Sequence, residues 1–166
     1  NEMPLHLKET NVRELIKTIA ESFRLIVNER NGSLTTEFTA TKYNFLIDEF
    51  HISNALVNLL DNANKYSPET PDIKLKTRNE GNWYVIEISD KGMGMDSTNK
   101  TKIFEKFFRE ETGNIHNVKG FGLGLSYVNN IIKILNGKIT VKSEKDKGTQ
   151  FEVVLPLKDA TVSALA

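Results

Sequence analysis

Residues 50–66, FHISNALVNLLDNANKY, decide how this sequence is interpreted. At 100° per residue the segment is an amphipathic helix, and it stops before Pro68 because proline does not fit a helix interior. The side expected to pack on a sheet consists of Ile52, Leu56, Leu59, Leu60 and Ala63. The opposite side is a narrow stripe, called here the asparagine stripe, of Asn54, Asn58, Asn62 and Lys65.

The asparagine stripe has two interpretations. A polar helix stripe is most often a solvated face, but asparagine is a weak helix former, and Glu, Lys or Ala would serve a solvated face better. Short amides one turn apart offer oxygen ligands to a hard cation, and the lysine at the end of the stripe offers a donor to phosphate. Taken alone, the stripe leaves both interpretations open.

Elements on either side of this helix alternate between strands and helices. The apolar pattern predicts a strand at 5–8 and then a helix through residues 12–26, with Thr10 or Asn11 as its N-cap. Further on it predicts a strand at 33–40, a short apolar run at 45–47, a hairpin of 73–78 with 83–89, a helix at 122–135 and a final hairpin of 138–143 with 149–157. The expected architecture is an α/β sandwich with helices layered on one face of a mixed sheet.

Composition limits the class of protein. The 166 residues fit one domain, and 22 basic residues balance 22 acidic ones, so there is no net positive field for nucleic acid or an anionic membrane. The absence of cysteine excludes disulfides and thiolate chemistry. The three histidines lack metal-ligand spacing. Because the chain opens with Asn1 and not with an initiator methionine, we expect a piece of a longer protein.

A glycine-punctuated stretch connects the two hairpin regions. A connection of about 30 residues is long for a compact domain and predicts a functional lid. It starts at Asp90-Lys91-Gly92-Met93-Gly94-Met95, where an ionised carboxylate accepts hydrogen bonds and the glycines allow close backbone approach. By itself this motif is more often an ordinary β-turn.

Two further segments of the stretch carry possible chemistry. Residues 119–126 place glycines just before a helix, where backbone N–H groups can hold a phosphate, although a glycine hinge is compatible with the same pattern. Residues 103–109 have the spacing of a short core-facing helix. Arg109, at the end of this segment, is placed to close on a transferring phosphate.

Together, in this order, the segments resemble the ATP-binding catalytic domain of bacterial sensor histidine kinases, in the superfamily of gyrase B, MutL and the large heat-shock chaperone. Residues 58–67 resemble its N box, 90–94 its first glycine box, 104–109 its F box, 120–125 its second glycine box, and 148–151 its closing glycine-threonine motif. The resemblance implies a Bergerat-type α+β two-layer sandwich, with a mixed, mostly antiparallel sheet covered on one face by about three helices. It also implies a catalytic domain at 1–158 with a mobile ATP lid at about 91–121, and a tail at 159–166.

The resemblance also implies roles for individual residues. Asn62 would ligate Mg²⁺ with Asn58 beside it, while Lys65 and Tyr66 would approach the phosphates of ATP. Asp90 would accept the adenine amino group, and Thr149 would support that end through water. The rest of the implied nucleotide site comprises Gly92, Gly94, Met95, Lys119, Gly120, Phe121, Gly122, Leu123, Gly124 and Leu125. The residues implied to be catalytic are Asn58, Lys65 and Arg109.

One departure favours transfer over hydrolysis. Relatives that hydrolyse ATP carry a general-base glutamate four residues before the metal-binding asparagine, and this chain has Asn58 there, which cannot take a proton. None of His6, His51 and His116 stands in a His-Glu/Asp-x-x-x-Pro motif, so the phosphoacceptor is expected on another domain.

The implied function is therefore that of a protein-histidine kinase catalytic domain. It would transfer the γ-phosphoryl group of ATP to a histidine on a dimerisation domain, and a response regulator receiver domain would act downstream. The domain is expected to be monomeric and cytoplasmic, in a parent anchored in the inner membrane, without nucleic acid or direct membrane contact. Two alternatives are an anti-sigma-type serine kinase of the same superfamily and a non-catalytic nucleotide-sensing module.

Overall fold

The computed structural model describes residues 4–96, 102–105 and 123–159. Three helices and seven strands follow one another along these ranges. In chain order they are β1 Lys8–Asn11, α1 Val12–Glu29, β2 Ser33–Phe38, β3 Asn44–Ile47, α2 Glu49–Lys65, β4 Asp72–Glu80, β5 Trp83–Asp90, α3 Leu123–Ile134, β6 Lys138–Glu144 and β7 Gly148–Pro156.

Five strands form the main sheet, in the order β2-β4-β5-β7-β6. β2 pairs with β4 in parallel, and the other three neighbouring pairs are antiparallel. The mixed, mostly antiparallel sheet is confirmed, as are the two hairpins β4–β5 and β6–β7. The end of β5 lies beside the start of β7, with Asp90 opposite Thr149.

The first predicted strand was placed wrongly. Residues 5–7 are irregular and the strand runs over Lys8–Asn11, where Thr10 lies opposite Phe45 in a small second sheet of β1 and β3. The reason is a competing hydrogen bond, because the backbone N–H of His6 donates to the Asp48 carboxylate at 2.8 Å. The apolar run at 45–47 is the partner strand, β3.

The helix limits follow from local chemistry. The Asn11 side chain caps α1 by accepting from the backbone N–H of Glu14 at 3.1 Å, and Asp48 caps α2 by accepting from that of His51 at 2.9 Å. After α3, Asn136 takes a φ of 60° and the N–H of Gly137 donates to the carbonyl of Ile132 at 2.8 Å. A left-handed residue of this kind ends helices.

The core lies between the helices and one face of the sheet. Ile52, Leu56, Leu59 and Leu60 of α2 are fully buried, as the periodicity predicts. They pack with the inward side chains of the sheet, which include Leu75, Ile86 and Val153. Because truncating such a side chain costs about 2–5 kcal/mol, this packing fixes α2, and the asparagine stripe with it, relative to β5 and β7.

Two predicted segments lie largely outside the described ranges. The lid, predicted at about 91–121, is described only at its start and over residues 102–105, and the tail at 159–166 only at Asp159. Within the part of the chain that the structure describes, no helix combines the length and the hydrophobicity that crossing a bilayer requires.

Candidate functional site

A cleft of about 540 Å³, counted with its open mouth, lies where α2, β5, α3 and β7 meet. Seven of the predicted site residues line it, namely Asn62, Tyr66, Asp90, Gly94, Met95, Leu125 and Thr149. The other described residues that line it were quoted within the motifs but not predicted as site residues: Ala63, Ile103 and Phe151. The cleft therefore collects residues of the N box, both glycine boxes and the glycine-threonine motif at one place.

Asp90 is the acidic group among the described residues that line the cleft. Burial raises the pKa of its carboxyl to about 6, although the backbone N–H groups of Gly92 and Thr149 donate to it and act in the opposite direction. The bond from Gly92 measures 2.8 Å. At neutral pH the group is thus an ionised acceptor in a poorly solvated position, which suits a ligand that brings a hydrogen-bond donor.

The two glycines after Asp90 allow close backbone packing. A Cβ at Gly94, where φ is +64°, would lie 1.9 Å from the Glu144 carbonyl oxygen, and one at Gly92 would lie 2.2 Å from that of Tyr66. Gly94 lines the cleft, whereas Gly92 packs against the end of α2. Both positions therefore require glycine for the loop after β5 to fit between α2 and the β6–β7 turn.

The three asparagines of the asparagine stripe are half-buried, and the members of the stripe make different contacts. Asn62 lines the cleft. The Asn58 amide donates to the Asn54 carbonyl at 2.8 Å, and its oxygen lies 3.0 Å from where a Cβ at Gly124 would stand. Asn58 and Gly124 therefore serve the contact between α2 and α3. Lys65 is more exposed and pairs with Asp61 at 2.8 Å.

Arg30, which the sequence did not single out, holds the end of α2. It is the C-cap residue of α1, and its guanidinium donates to the carbonyl and side-chain oxygens of Asn64 and to the carbonyls of Ser67 and Glu69. A planar guanidinium is suited to several carbonyls at once, and a cation is favourable at a helix C-terminus. Arg30 thereby fixes the turn of helix that carries Asn62 and Tyr66.

Replacing Arg30 with Met is expected to lower the free energy of unfolding by about 2 kcal/mol, because carbonyls at the end of α2 lose a charged donor. Arg30→Lys should recover only part of the loss, since a lysine ammonium lacks the planar set of N–H donors with which the guanidinium reaches several carbonyls at once. Urea unfolding measures both variants. The matched control is Arg24→Met on the same helix, whose guanidinium donates to the single carbonyl of Leu34 at 2.9 Å. Equal losses for Arg30→Met and Arg24→Met would contradict the role given to Arg30.

Part of the predicted site is not described. Arg109, Lys119, Gly120, Phe121, Gly122 and the side chain of Leu123 lie outside the described residues. Residues 102–105 form a turn closed by a 2.9 Å bond from the Glu105 N–H to the Lys102 carbonyl, so the predicted helix is absent from this part of 103–109. Ile103 is buried and lines the cleft, and the Phe104 ring meets that of Phe151 edge-on at 6.4 Å.

No group of three His, Asp or Glu side chains in the described ranges is arranged to hold a metal ion. Mg²⁺ is typically bound with one or two protein oxygens and the phosphates of a nucleotide. The amide of Asn62 at the cleft wall fits such a donor set.

The sequence profile described as "Histidine kinase-, DNA gyrase B-, and HSP90-like ATPase" matches residues 47–159. The sensor protein RprX of Bacteroides fragilis is 44% identical over 155 residues, which are 92% of this chain and 30% of RprX. The histidine kinase P4 of Formosa agariphila is 34% identical over 159 residues, which are 92% of this chain and 11% of P4. The chain thus spans less than a third of these relatives.

Solved structures show the same fold. The catalytic domain of the histidine kinase ThkA superposes with a TM-score of 0.81 at 26% identity, covering 93% of this chain and 99% of that domain. Full-length ShkA in complex with AMPPNP gives 0.83 at 23% identity over 95% of this chain and 32% of ShkA. ThkA in complex with the response regulator protein TrrA gives 0.76 at 24% identity over 92% of this chain and 42% of ThkA.

Proposed function

The chain belongs to the histidine kinase-, DNA gyrase B- and HSP90-like ATPase family, and we propose that it is the ATP-binding catalytic domain of a sensor histidine kinase in two-component signalling. It binds Mg·ATP and donates the γ-phosphoryl group to a histidine on a dimerisation domain. The observation that carries the proposal is the cleft, where Asn62, Asp90 and Thr149 meet from three distant parts of the chain. The identity of 44% to a sensor protein supports the same conclusion.

The residues of the cleft divide between the two ends of the nucleotide. Asp90 accepts the adenine amino group and Thr149 supports the base, while Met95 and Gly94 lie beside them. Asn62 supplies an amide oxygen to Mg²⁺, and the ion when bound neutralises phosphate charge.

At the phosphate end we assign Lys65, Tyr66 and the first amides of α3, which include Gly124 and Leu125, because helix N-termini hold phosphates. Lys119, Arg109 and the remaining residues of 120–123 are assigned by resemblance alone.

Transfer to a protein is favoured over hydrolysis of ATP. The position of the hydrolytic general base is taken by Asn58, whose amide already donates to the Asn54 carbonyl. A neutral amide cannot remove a proton from water, so attack by a protein nucleophile is the better use of the site.

The proposed partners follow from the same chemistry. The phosphoryl group passes to a histidine-bearing dimerisation domain of the same parent and then to a response regulator receiver domain. The complex of ThkA with TrrA supports a regulator partner. We further propose a monomeric domain on the cytoplasmic side of a membrane-anchored parent, without nucleic acid or direct membrane contact.

Incubation of the chain with labelled ATP and Mg²⁺, alone and with the histidine-bearing dimerisation domain of the same parent, tests the proposal. We expect the chain alone to bind ATP and to stay unlabelled. The mixture should accumulate acid-labile phosphate on the dimerisation domain, as phosphohistidine does. The control is a dimerisation domain in which the acceptor histidine is replaced by Gln.

Other outcomes separate the alternatives. Acid-stable phosphate on a free partner protein would indicate a serine kinase of the anti-sigma type. Nucleotide binding without any transfer to the dimerisation domain would indicate a non-catalytic sensing module. Acid-labile phosphate on the chain alone would contradict the proposal that the acceptor lies on another domain.

A further inference from the structure

Ser143 of β6 lies directly behind the cleft and has no place in the site described so far. Its side chain is buried, at 9% exposure, and its hydroxyl meets three groups that belong to cleft segments. They are the backbone N–H of Met95 at 2.9 Å, the carbonyl of Gly148 at 3.0 Å and the hydroxyl of Thr149 at 2.8 Å. One buried hydroxyl thus connects the loop after β5 to the start of β7.

The direction of these hydrogen bonds follows from what each group can do. A serine hydroxyl has one hydrogen to donate and two lone pairs that accept. The Met95 N–H can only donate, so it uses one lone pair, and the Gly148 carbonyl can only accept, so it takes the serine hydrogen. The remaining lone pair of Ser143 faces Thr149 at 2.8 Å. Thr149 is therefore the donor to Ser143, and its own lone pairs remain available to accept from a ligand.

We propose that Ser143 is a positioning residue for base selection, acting by fixing the Thr149 hydroxyl with its acceptor side toward the cleft. The inference rests on the proposed function, because it concerns which nucleotide the cleft binds. Thr149 and Asp90 both line the cleft and lie opposite each other on β7 and β5. With both groups presenting acceptors, and with Thr149 contacting the base directly and not through a water, the base end favours a purine with a 6-amino donor over one with a 6-oxo acceptor.

Without Ser143, the Thr149 hydroxyl is free to turn. A hydroxyl that can rotate donates to a 6-oxo group as readily as it accepts from a 6-amino group. The contribution of Thr149 to the preference for ATP therefore disappears. The loop after β5 also loses the acceptor for the Met95 N–H, which weakens both nucleotides alike. The ratio of the two affinities therefore separates positioning from a merely structural role.

The test measures dissociation constants of ATP and inosine triphosphate, which carries a 6-oxo group, for wild type and Ser143→Ala of the full chain. We expect the ratio of the inosine triphosphate and ATP dissociation constants to fall about fivefold in Ser143→Ala, which corresponds to the loss of one neutral hydrogen bond. The ratio should stay above one, because Asp90 still favours ATP. The matched control is Ser89→Ala on β5, at a half-buried position outside the cleft lining, which should leave the preference unchanged.

Thr149→Val removes the hydroxyl that Ser143 is proposed to position, and it is the second test of the inference if Ser143→Ala does not fold. It should narrow the preference by the same factor, and adding Ser143→Ala should narrow it no further, because both changes act through one hydroxyl. Nucleotide binding by the wild type with a preference that neither variant changes would overturn this inference alone. Failure of the wild type to bind either nucleotide would overturn the proposed function and this inference with it.

Discussion

Asp90→Asn is expected to weaken ATP binding about ten- to a hundredfold and to make the nucleotide-free chain more stable. A hydrogen bond to a charged group contributes on the order of 1.5–3 kcal/mol, which gives the loss of affinity. An amide keeps the shape of the carboxylate and can turn its NH₂ group toward the 6-oxo group of guanine. The preference for ATP over GTP should therefore narrow in the variant.

The gain in stability follows from the raised pKa of Asp90. Burial raises it from 3.8 to about 6, so folding favours the protonated form. The stabilising contribution of protonated Asp90 is fully present at pH values below the pKa of the unfolded state, and it is lost as the pH rises through about 6, the pKa of the folded state. At neutral pH the ionised carboxylate therefore destabilises the fold. The amide in the Asp90→Asn variant carries no charge, so the gain in stability over wild type should be largest at neutral pH and vanish near pH 4.

Binding should show the opposite dependence on pH. Protonation of Asp90 turns an acceptor into a donor, so the ATP affinity of the wild type should fall as the pH drops below about 6. Competition of ATP and GTP against a fluorescent adenine nucleotide at several pH values measures the effect. Asp146→Asn, an exposed substitution in the β6–β7 turn, is the control. Equal ATP and GTP affinities in the wild type would remove Asp90 from the base end.

The main elements of the fold were predictable because their signals are local. The buried side of α2 recurs at helical spacing, and Pro68 marks its C-terminal end in the sequence itself. The hairpin β4–β5 follows from alternation on both sides of a turn around Gly81, where φ is positive. In each case residues close in sequence contain the information that sets the structure.

The small second sheet was not predictable in the same way. Residues 5–8 alternate apolar and polar side chains, whereas residues 8–11, Lys-Glu-Thr-Asn, are all polar and give no local strand signal. The choice of 8–11 as the strand depends on pairing with β3 some 35 residues further on. The bond from His6 to the Asp48 carboxylate also settles that choice, and it joins residues 42 positions apart. Local alternation does not contain such long-range terms.

The residues of the candidate site also differ in how far the sequence predicted them. Asp90, Asn62 and Thr149 were proposed through the resemblance of their motifs to those of histidine kinases, because the asparagine and glycine patterns taken alone left a solvated face and an ordinary turn open. Arg30 and Ser143 were missed because their partners are mainly backbone carbonyls and N–H groups, which every residue has. Ile103 and Phe151 were missed as lining residues because apolar side chains there fit a core equally well. Phe151 was within reach, since it ends the glycine-threonine motif.

Asn62→Ala is expected to abolish most of the benefit that Mg²⁺ brings to ATP binding. With Mg²⁺ present, the ATP affinity of the variant should be about ten- to a hundredfold lower than that of the wild type, since even outer-shell partners of a metal contribute that much. With EDTA in place of Mg²⁺, the ATP affinities of the two proteins should be nearly equal. The fold should persist because Asn62 lines the cleft and lies outside the buried core.

Titration of ATP with and without Mg²⁺ isolates the contribution of the metal to ATP affinity, because a loss of packing at the end of α2 would lower the affinity equally under both conditions. Asn28→Ala, the same substitution at an exposed position of α1, is the matched control and should change neither. Phosphotransfer to the dimerisation domain should fall in parallel with Mg²⁺-dependent binding, since charge on the transferring group is then less well neutralised. If Mg²⁺ strengthens ATP binding as much in Asn62→Ala as in the wild type, Asn62 is not a ligand, and the donor set of the cleft must be sought elsewhere on α2.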